Sequence, residues 1–262
     1  MQSVELFDEL RITLQPSTID VCCDHPSLSN PQENLVFKAA RALKDHSATD
    51  AGAIIELKKN IPVAAGLAGG SSDAAAALTG LNILWGLNLS LNELQKVGAL
   101  IGSDIPFCLE GGTLLAEGRG ERLSKVSRFP EAVVIIATPG FQLSTREIYD
   151  EWDRAHVDVR PGMSGLLKAL NGGDLRRACS SLANVLEEVV FEEYPGVKEI
   201  KEKCLEAGAL GALMSGSGPS VFSIAETRRE AAKISEALEG LCSSVVLTTP
   251  SATGVEVVAK PG

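Results

Sequence analysis

The chain has 262 residues, a formal net charge of −10 at pH 7, and 45% hydrophobic and 22% charged residues. That length supports a substantial core in one large or two modest domains, and the ordinary composition indicates a folded protein rather than a disordered one. The acidic balance argues against nucleic acid or an anionic membrane as the main partner. Any phosphate site must therefore work through local backbone donors and a metal, not through bulk positive charge.

The cysteines and histidines carry no metal or disulfide pattern. There is no C-x-x-C and no histidine at ligand spacing from a cysteine, so we expect free thiols in a reducing cytoplasm. No signal peptide and no apolar run of about 18 residues is visible, which also predicts a cytoplasmic protein. The histidines, predicted to be solvated or structural, are His25, His46 and His156. The six cysteines are Cys22, Cys23, Cys108, Cys179, Cys204 and Cys242.

The chain opens with alternating strand and helix patterns. Residues 4–12 alternate as a strand does, residues 16–31 form a polar loop, and residues 53–59 alternate again. A capping box at Asn30–Glu33, with Pro31 at the first helical position, predicts a helix over 31–45.

Two further helices and a strand pair complete the first half. One helix is predicted from Ser72 to Trp85, and a capping box at Ser90–Glu93 opens another that runs through Ile101. Gly102 ends that helix, and a compact loop is expected over 103–107. Residues 112–123 alternate around Gly118-Arg119-Gly120 and predict a strand pair.

The second half gives strands and helices in the order β-α-β-β-α-β, the split unit of ferredoxin-like domains, if consecutive helices are grouped. A boundary near Ser127–Pro130 divides the chain into domains over 1–127 and 128–262, and the fold class is α+β. The predicted strands are 133–137, 209–214, 220–225 and 243–248. The predicted helices are 145–155, 162–170, 174–188, 195–207 and 227–239, the last with a Thr227–Glu230 capping box.

The segment from Ile61 to Asp73 has the layout of an anion site. Three glycines and two serines lie between a strand and an Ala-rich helix, so backbone N–H groups and the helix N-terminus can meet a phosphate. Ser71 or Ser72 is predicted to cap that helix, and a spare hydroxyl to face a phosphate or its metal. No lysine follows Gly70, which excludes a P-loop, and the glycine spacing excludes a dinucleotide fingerprint. A turn that merely tightens packing remains the alternative.

Three other positions are candidates for chemistry. Asp104, beside Pro106 and Phe107, is placed to accept a proton from a substrate hydroxyl, although an aspartate capping a local turn is the alternative. Residues 215–222 form a glycine-rich turn that alone predicts only a hairpin. Tyr149 can stack on a base or be a partly buried core aromatic.

These motifs together resemble those of the GHMP small-molecule kinases. P-x-x-x-G-L-A-G-G-S-S-D-A is similar to the family's phosphate loop, Gly102-Ser103-Asp104-Ile105-Pro106-Phe107 to the segment with its catalytic aspartate, and Ser215-Gly216-Ser217-Gly218 to its third motif. The resemblance implies an ATP-dependent kinase using Mg²⁺. Its implied fold has a ribosomal protein S5 domain 2-like N-terminal half and a ferredoxin-like C-terminal half.

The resemblance also implies roles for individual residues. Asp104 is the implied catalytic residue. The implied ATP-binding residues are Pro62, Ala64, Ala65, Gly66, Leu67, Ala68, Gly69, Gly70, Ser71, Ser72, Asn34 and Lys58. The implied substrate-binding residues are Asp104, Tyr149, Gly118, Gly216, Ser217 and Gly218. Ordinary helix-face and solvated strand-end roles remain open for Asn34 and Lys58.

The loop variant AGLAGGSSDAA resembles that of family members acting on a diphosphocytidyl sugar alcohol of the non-mevalonate isoprenoid pathway. We therefore expect this small-molecule substrate, no nucleic acid or membrane partner, and a monomer or homodimer. Another GHMP kinase, of homoserine or mevalonate type, is the alternative. A nucleotide-binding protein that has lost catalysis is a second one.

The sequence departs from the family pattern at its start. The family begins with a strand carrying A-K-[IL]-N and continues through a G-Y-H segment, whereas here the first lysine is Lys38, in a predicted helix. The resemblance implies that the missing lysine supports the catalytic aspartate. We therefore expect the chain as written to be weakly active or inactive, and less soluble because a sheet edge and apolar surface are exposed.

Overall fold

The computed structural model describes residues 1–28, 30, 32–155 and 162–259. The chain forms two compact units. The first contains Met1–Ile61, Ala68–Lys125 and the segment from Ser251 onward, and the second contains Pro62–Leu67 and Val126–Pro250. The division of the chain into domains over 1–127 and 128–262 stays a prediction. Within the described ranges, none of the helices is long and apolar enough to cross a membrane.

The first unit contains a three-stranded sheet. Its strands are β1 (Glu9–Gln15), β2 (Ile19–Cys23) and β3 (Gly52–Lys58), in the order β1-β3-β2, with β1 antiparallel and β2 parallel to β3. Along β3 buried Ala53, Ile55 and Leu57 alternate with exposed residues, as the strand pattern predicts. The polar loop expected over 16–31 is wrong, because β2 lies within it. There Val21 is buried and pairs with Ile55, and the polar or cysteine neighbours Asp20, Cys22 and Cys23 obscured this strand in the sequence.

The first helix, α1 (Leu35–Ser47), begins later than its sequence suggests. Its N-cap is Asn34, whose Oδ1 accepts the Val36 N–H at 2.9 Å. The helix start at Pro31 with an Asn30 cap is therefore wrong, although Pro31 itself lies outside the described residues. The Glu33 carboxylate accepts from the Asn30 side-chain amide at 2.9 Å instead of returning to a backbone N–H as a capping box requires. The predicted apolar stripe is confirmed, its buried residues being Val36, Ala39, Ala40 and Leu43.

Three helices and a hairpin complete the first unit: α2 (Gly69–Leu84), α3 (Leu91–Ala99), α4 (Ile105–Glu110), β4 (Leu114–Glu117) and β5 (Arg122–Lys125). The capping box of Ser90 and Glu93 on α3 and the antiparallel β4–β5 pair are both confirmed. The compact loop predicted over 103–107 is wrong, because α4 begins at Ile105. Pro106 lies in the first turn of this helix, where the missing N–H of proline costs no intrahelical hydrogen bond.

The predicted serine cap of α2 is also wrong. The helix already begins at Gly69, and Ala68 occupies the N-cap position with a left-handed φ of +54° and no side-chain hydrogen bond. Ser71 and Ser72 lie inside the first turn. The two glycines permit the early start, since they remove the side chains that would collide there.

The second unit contains the predicted β-α-β-β-α-β order. Its antiparallel sheet has the order β7-β8-β6-β9. The strands are β6 (Val133–Thr138), β7 (Gly211–Met214), β8 (Val221–Ala225) and β9 (Ser244–Thr248). The helices are α5 (Thr145–Ala155), α6 (Met163–Asn171), α7 (Leu175–Ser180), α8 (Glu187–Glu193), α9 (Pro195–Glu206) and α10 (Arg228–Ala237).

The single helix predicted over 174–188 is wrong, because α7 and α8 are separated by residues 181–186. In that break the Asn184 side-chain amide donates to the carbonyls of Met214 at 2.9 Å and Gly216 at 2.8 Å. A continuous helix would pull this amide away from both carbonyls. The Thr227–Glu230 capping box on α10 is confirmed, and His156 lies outside the described residues.

Candidate active site

The first part of the glycine loop packs against the glycine-rich turn at 215–218, within the second unit. Gly66 has a φ of +74°, and a Cβ built there would lie 2.2 Å from the Ser215 carbonyl oxygen. The Ser215 hydroxyl donates to the Gly66 carbonyl at 2.8 Å, and the Ser220 N–H donates to the Ala65 carbonyl at 3.3 Å. The structure thus brings two of the predicted motifs together, and only glycine fits at residue 66.

The same turn contacts the start of α5. The hydroxyls of Thr145 and Ser217 are 2.8 Å apart. Tyr149 lies one helical turn after Thr145, on the same face of α5, and is 51% exposed. Its ring is therefore accessible, and the predicted stacking of Tyr149 on a base stays a prediction. The sequence analysis did not predict Thr145 as a partner of Ser217. The signal available in the sequence is that Thr145 is the first residue of a predicted helix.

The second part of the loop is the first turn of α2, in the first unit. The first intrahelical hydrogen bond is donated by the Ser72 N–H to the Ala68 carbonyl at 2.9 Å, so the N–H groups of Gly69, Gly70 and Ser71 precede the first intrahelical donor and have no acceptor within the helix. A Cβ on Gly69 would lie 3.0 Å from the Ile61 side chain, and one on Gly70 would lie 3.3 Å from that of Leu35. Glycine therefore keeps this turn narrow and its three N–H groups available to an anion.

A buried ionic cluster lies directly beside this turn, and we call Lys59, Asp8 and Asp73 the Lys59 cluster. The Lys59 ammonium donates to Asp8 Oδ2 and, at 2.7 Å, to Asp73 Oδ2. All three side chains are at most 4% exposed. Burial, together with the negative charge of Asp8, raises the pKa of Asp73 to about 7 despite the opposing effect of Lys59. Burial lowers the pKa of Lys59, but Asp73 and Asp8 outweigh it and raise the pKa above its ordinary value.

Sequence reasoning chose the neighbouring lysine. Lys58, predicted to bind ATP, is the last residue of β3, with its side chain 60% exposed and paired with Glu9 at 3.2 Å. Lys59 follows the strand end and turns inward. The alternation of β3, in which Leu57 is buried, already indicated that the Lys58 side chain points to solvent. Nothing in the sequence indicates that Lys59 bonds to Asp8, because the two residues are 51 positions apart.

Two buried polar atoms near this turn have no hydrogen-bond partner among the described residues. They are Nδ2 of Asn34, whose Oδ1 caps α1, and Oδ1 of Asp73. Leu35, the residue after Asn34, packs against Gly70. A buried donor left unpaired is costly, so Asn34 fits a role toward a bound ligand better than that of an ordinary helix-face residue.

Asp104 is half-buried and immediately precedes α4. Its carboxylate makes no capping bond to that helix, which removes the support for the turn-cap alternative. Ser103 Oγ donates weakly to Asp104 Oδ1 at 3.4 Å. A Cβ on Gly120, in the β4–β5 turn with Gly118, would lie 3.8 Å from the same oxygen. The turn therefore passes close to the carboxylate, and glycine leaves that carboxylate accessible.

Asp104 lies on the same side of the first unit as the start of α2. A Cβ on Gly102 would lie 3.9 Å from the Ser71 hydroxyl. Burial, followed by the charges of Asp104 and Asp73, raises the pKa of the Cys108 thiol to about 12, which keeps that thiol protonated. Three unpaired N–H groups and one free carboxylate thus occur together in this unit. Such a set can hold a phosphate and accept a proton.

Comparison with known proteins gives a consistent result. The family described as GHMP kinases N terminal domain matches residues 34–112, and that described as GHMP kinases C terminal matches residues 165–243. The chain is 44% identical to the 4-diphosphocytidyl-2-C-methyl-D-erythritol kinase of Exiguobacterium sibiricum over 94% of this chain and 86% of the relative. It is 44% identical to the Bacillus pumilus protein of the same name over 94% and 85%.

Solved structures agree with these sequence matches. A crystal structure of 4-(cytidine 5'-diphospho)-2C-methyl-D-erythritol kinase superimposes with a TM-score of 0.76 at 30% identity, covering 94% of this chain and 87% of that one. The homoserine kinase of Cytophaga hutchinsonii gives a TM-score of 0.80 at 22% identity, covering 97% and 89%. The second likeness shows the fold alone.

Proposed function

Because the chain belongs to the GHMP kinase family, we propose that it transfers the γ-phosphate of ATP to the 2-hydroxyl of 4-diphosphocytidyl-2-C-methyl-D-erythritol, in the non-mevalonate isoprenoid pathway. The observation that carries the substrate is the 44% identity, over 94% of the chain, to relatives bearing that kinase name. The observation that carries the chemistry is the set of unpaired N–H groups at the start of α2 in the same unit as Asp104.

The first turn of α2 binds the phosphates in this proposal. The N–H groups of Gly69, Gly70 and Ser71 point along the helix axis, and the positive end of the helix dipole adds to their attraction for an anion. The only lysine buried there, among the residues that the structure describes, is Lys59, whose charge two carboxylates already neutralise. Phosphate binding therefore depends on backbone donors, which suits a chain with a net charge of −10.

Mg²⁺ belongs to the substrate in this scheme. Throughout the described part of the chain, no group of three or more His, Cys, Asp or Glu side chains is arranged to hold a metal ion. Mg²⁺ keeps several waters and binds ATP through its phosphate oxygens, so it needs no protein cage. We expect it to arrive as Mg·ATP and to neutralise charge on the β- and γ-phosphates.

Asp104 acts on the nucleophile. Its carboxylate is accessible past Gly120 and is not engaged as a helix cap, so it is free to accept the hydrogen of the attacking hydroxyl. Phosphoryl transfer depends mostly on positioning and charge stabilisation, and a carboxylate at this point orients the oxygen and takes its proton as the bond to phosphorus forms.

The other residues of this proposal lie in the second unit. Tyr149 is exposed, so we expect its ring to stack on the cytosine ring of the substrate. Ser217, held by Thr145, and the neighbouring Gly216 and Gly218 offer hydroxyl and backbone groups to the substrate. We expect the enzyme to be cytoplasmic and a monomer or homodimer, and all six cysteines are free thiols, as a reducing compartment requires.

The assay supplies the 262-residue chain with Mg·ATP and, separately, with 4-diphosphocytidyl-2-C-methyl-D-erythritol, homoserine or mevalonate. We expect ADP and a 2-phosphorylated product from the diphosphocytidyl substrate alone. Release of ADP with homoserine or mevalonate instead would assign the chain to another GHMP activity. The expectation of weak turnover stays a prediction, and the same assay measures it against a relative such as the Bacillus pumilus enzyme.

A further inference from the structure

The Lys59 cluster joins two points of the chain on either side of the glycine loop. Lys59 precedes Pro62 by three residues, and Asp73 is the fifth residue of α2, just after its first turn. Their ion pair, at 2.7 Å, therefore closes the segment 60–72 at its base. Asp73 is the aspartate of the phosphate-loop motif and Lys59 lies outside that motif, and the sequence predicts neither as a site residue.

Asp8 fixes the start of that segment. Its Oδ1 accepts the backbone N–H of Asn60 at 2.5 Å and that of Ile61 at 2.8 Å, while Oδ2 accepts the Lys59 ammonium. The Asn60 side chain adds a bond to the Phe7 carbonyl at 2.9 Å. One carboxylate thus satisfies three consecutive residues, which leaves the chain little freedom just before the loop.

Asp73 and Lys59 fix the end of the segment. A Cβ built on Gly69 would lie 3.4 Å from Lys59 Nζ and 3.0 Å from the Ile61 side chain. The ammonium and Ile61 therefore support the turn whose N–H groups have no acceptor within the helix. Because the cluster is buried, losing one partner leaves a charge without compensation, so the arrangement favours one geometry strongly.

We propose that the Lys59 cluster is a positioning device for the nucleotide: it holds the first turn of α2 at the orientation in which its backbone N–H groups bind the phosphates of ATP. This inference rests on the proposed kinase function. Lys59 acts here through the backbone and does not itself contact phosphate, since two of its three N–H donors are directed to Asp8 and Asp73, whose charges offset its own. It differs in this respect from the lysine of a P-loop.

The alternative is that Lys59 leaves Asp73 and binds a phosphate directly. The two roles make opposite predictions for Asp73. A positioning role needs the ion pair, so Asp73→Asn weakens nucleotide binding. A direct role is hindered by the ion pair, so the same substitution leaves binding unchanged or strengthens it.

The experiment titrates variants of the 262-residue chain with the non-hydrolysable analogue AMP-PNP and Mg²⁺, and follows KM for ATP and for the diphosphocytidyl substrate. We expect Lys59→Met to raise the Kd of the analogue at least about tenfold and Asp73→Asn at least about threefold, with the alcohol KM changed less than about twofold. The double variant should be no worse than Lys59→Met, because both changes break one interaction. Lys44→Met, which removes a surface lysine bonded to the Ser17 and Asp50 carbonyls of the same unit, is the matched control and should bind normally.

Normal analogue binding by folded Lys59→Met, or by Asp73→Asn, overturns the inference. Asp73→Asn keeps the side-chain volume, so it decides the matter if Lys59→Met does not fold. Equal losses for both substrates would indicate general loosening and would also overturn it. If the unaltered chain binds AMP-PNP but does not phosphorylate the diphosphocytidyl substrate, the proposed substrate is refuted. The positioning role is then still tested by the Kd values of AMP-PNP for the variants.

Discussion

Replacing Gly66 by alanine perturbs the loop at one defined contact. The new Cβ would lie 2.2 Å from the Ser215 carbonyl oxygen, against an ordinary lower limit of 3.4 Å, so the two backbones must separate by roughly 1 Å. The left-handed φ of +74° costs alanine about 1 kcal/mol. Loss of the bond from the Ser215 hydroxyl to the Gly66 carbonyl adds about 1 kcal/mol. Strain in the displaced backbone adds about 1 kcal/mol more.

Gly173→Ala is the matched control, because Gly173 lies in the same unit, has a φ of +66°, and has open space around its Cβ position. We expect the free energy of unfolding to fall by about 3 kcal/mol for Gly66→Ala and about 1 kcal/mol for Gly173→Ala.

Kinase activity should separate the two variants further. A displacement of about 1 Å in the phosphate loop lowers kcat/KM for ATP by about 10²-fold, whereas Gly173→Ala should be within about twofold of the unaltered enzyme. Denaturant unfolding and a coupled assay for ADP give both quantities. If the two alanine variants prove equally stable and equally active, the packing of Gly66 on the 215–218 turn has no role, and the reasoning is refuted.

Three further predictions concern single side chains. Asp104→Asn should lower kcat by about 10²–10⁴-fold while leaving the Kd of AMP-PNP unchanged, and a normal kcat would remove Asp104 from catalysis. Tyr149→Ala should raise KM for the diphosphocytidyl substrate roughly tenfold with KM for ATP unaffected, whereas Tyr149→Phe, which keeps the ring, should behave normally. The third concerns pH. Because the folded-state pKa of Asp73 is raised from 3.8 to about 7, folding takes up a proton between these values, and stability falls as pH rises from about 4 to about 7. Over this pH range the free energy of unfolding of the unaltered chain should fall with pH more steeply than that of Asp73→Asn, by up to about 1.4 kcal/mol per pH unit. Equal slopes for the two proteins would contradict the burial of this carboxylate.

Much of the fold follows from local patterns. The capping boxes at Ser90 and Thr227 were correct because both partners lie three residues apart, and the buried alternation of β3 was correct because its period is local. The helix starts at Asn34 and Gly69 were missed for a related reason. In each case a neighbouring residue offered an equally plausible cap, and tertiary packing of the loop decided between them.

The candidate site was predicted only in part. The glycine loop, Asp104 and the 215–218 turn carry compact motifs, so the sequence locates them. The Lys59 cluster joins residues 51 and 14 positions apart, and such pairs leave no trace in a single sequence. Thr145 was missed because its partner, Ser217, is 72 residues away. Proximity to the loop in sequence does not reveal which of two neighbouring lysines turns inward, and the role of Lys58 toward ATP stays a prediction.

The central claim is that backbone N–H groups at the start of α2 hold the phosphates of ATP. A crystal structure of the 262-residue chain with Mg²⁺ and AMP-PNP measures this directly. We predict phosphate oxygens within about 3 Å of the N–H nitrogens of Gly69, Gly70 or Ser71, with Lys59 still bonded to Asp73. Phosphates bound away from that turn, with its N–H groups left to solvent, would contradict the account.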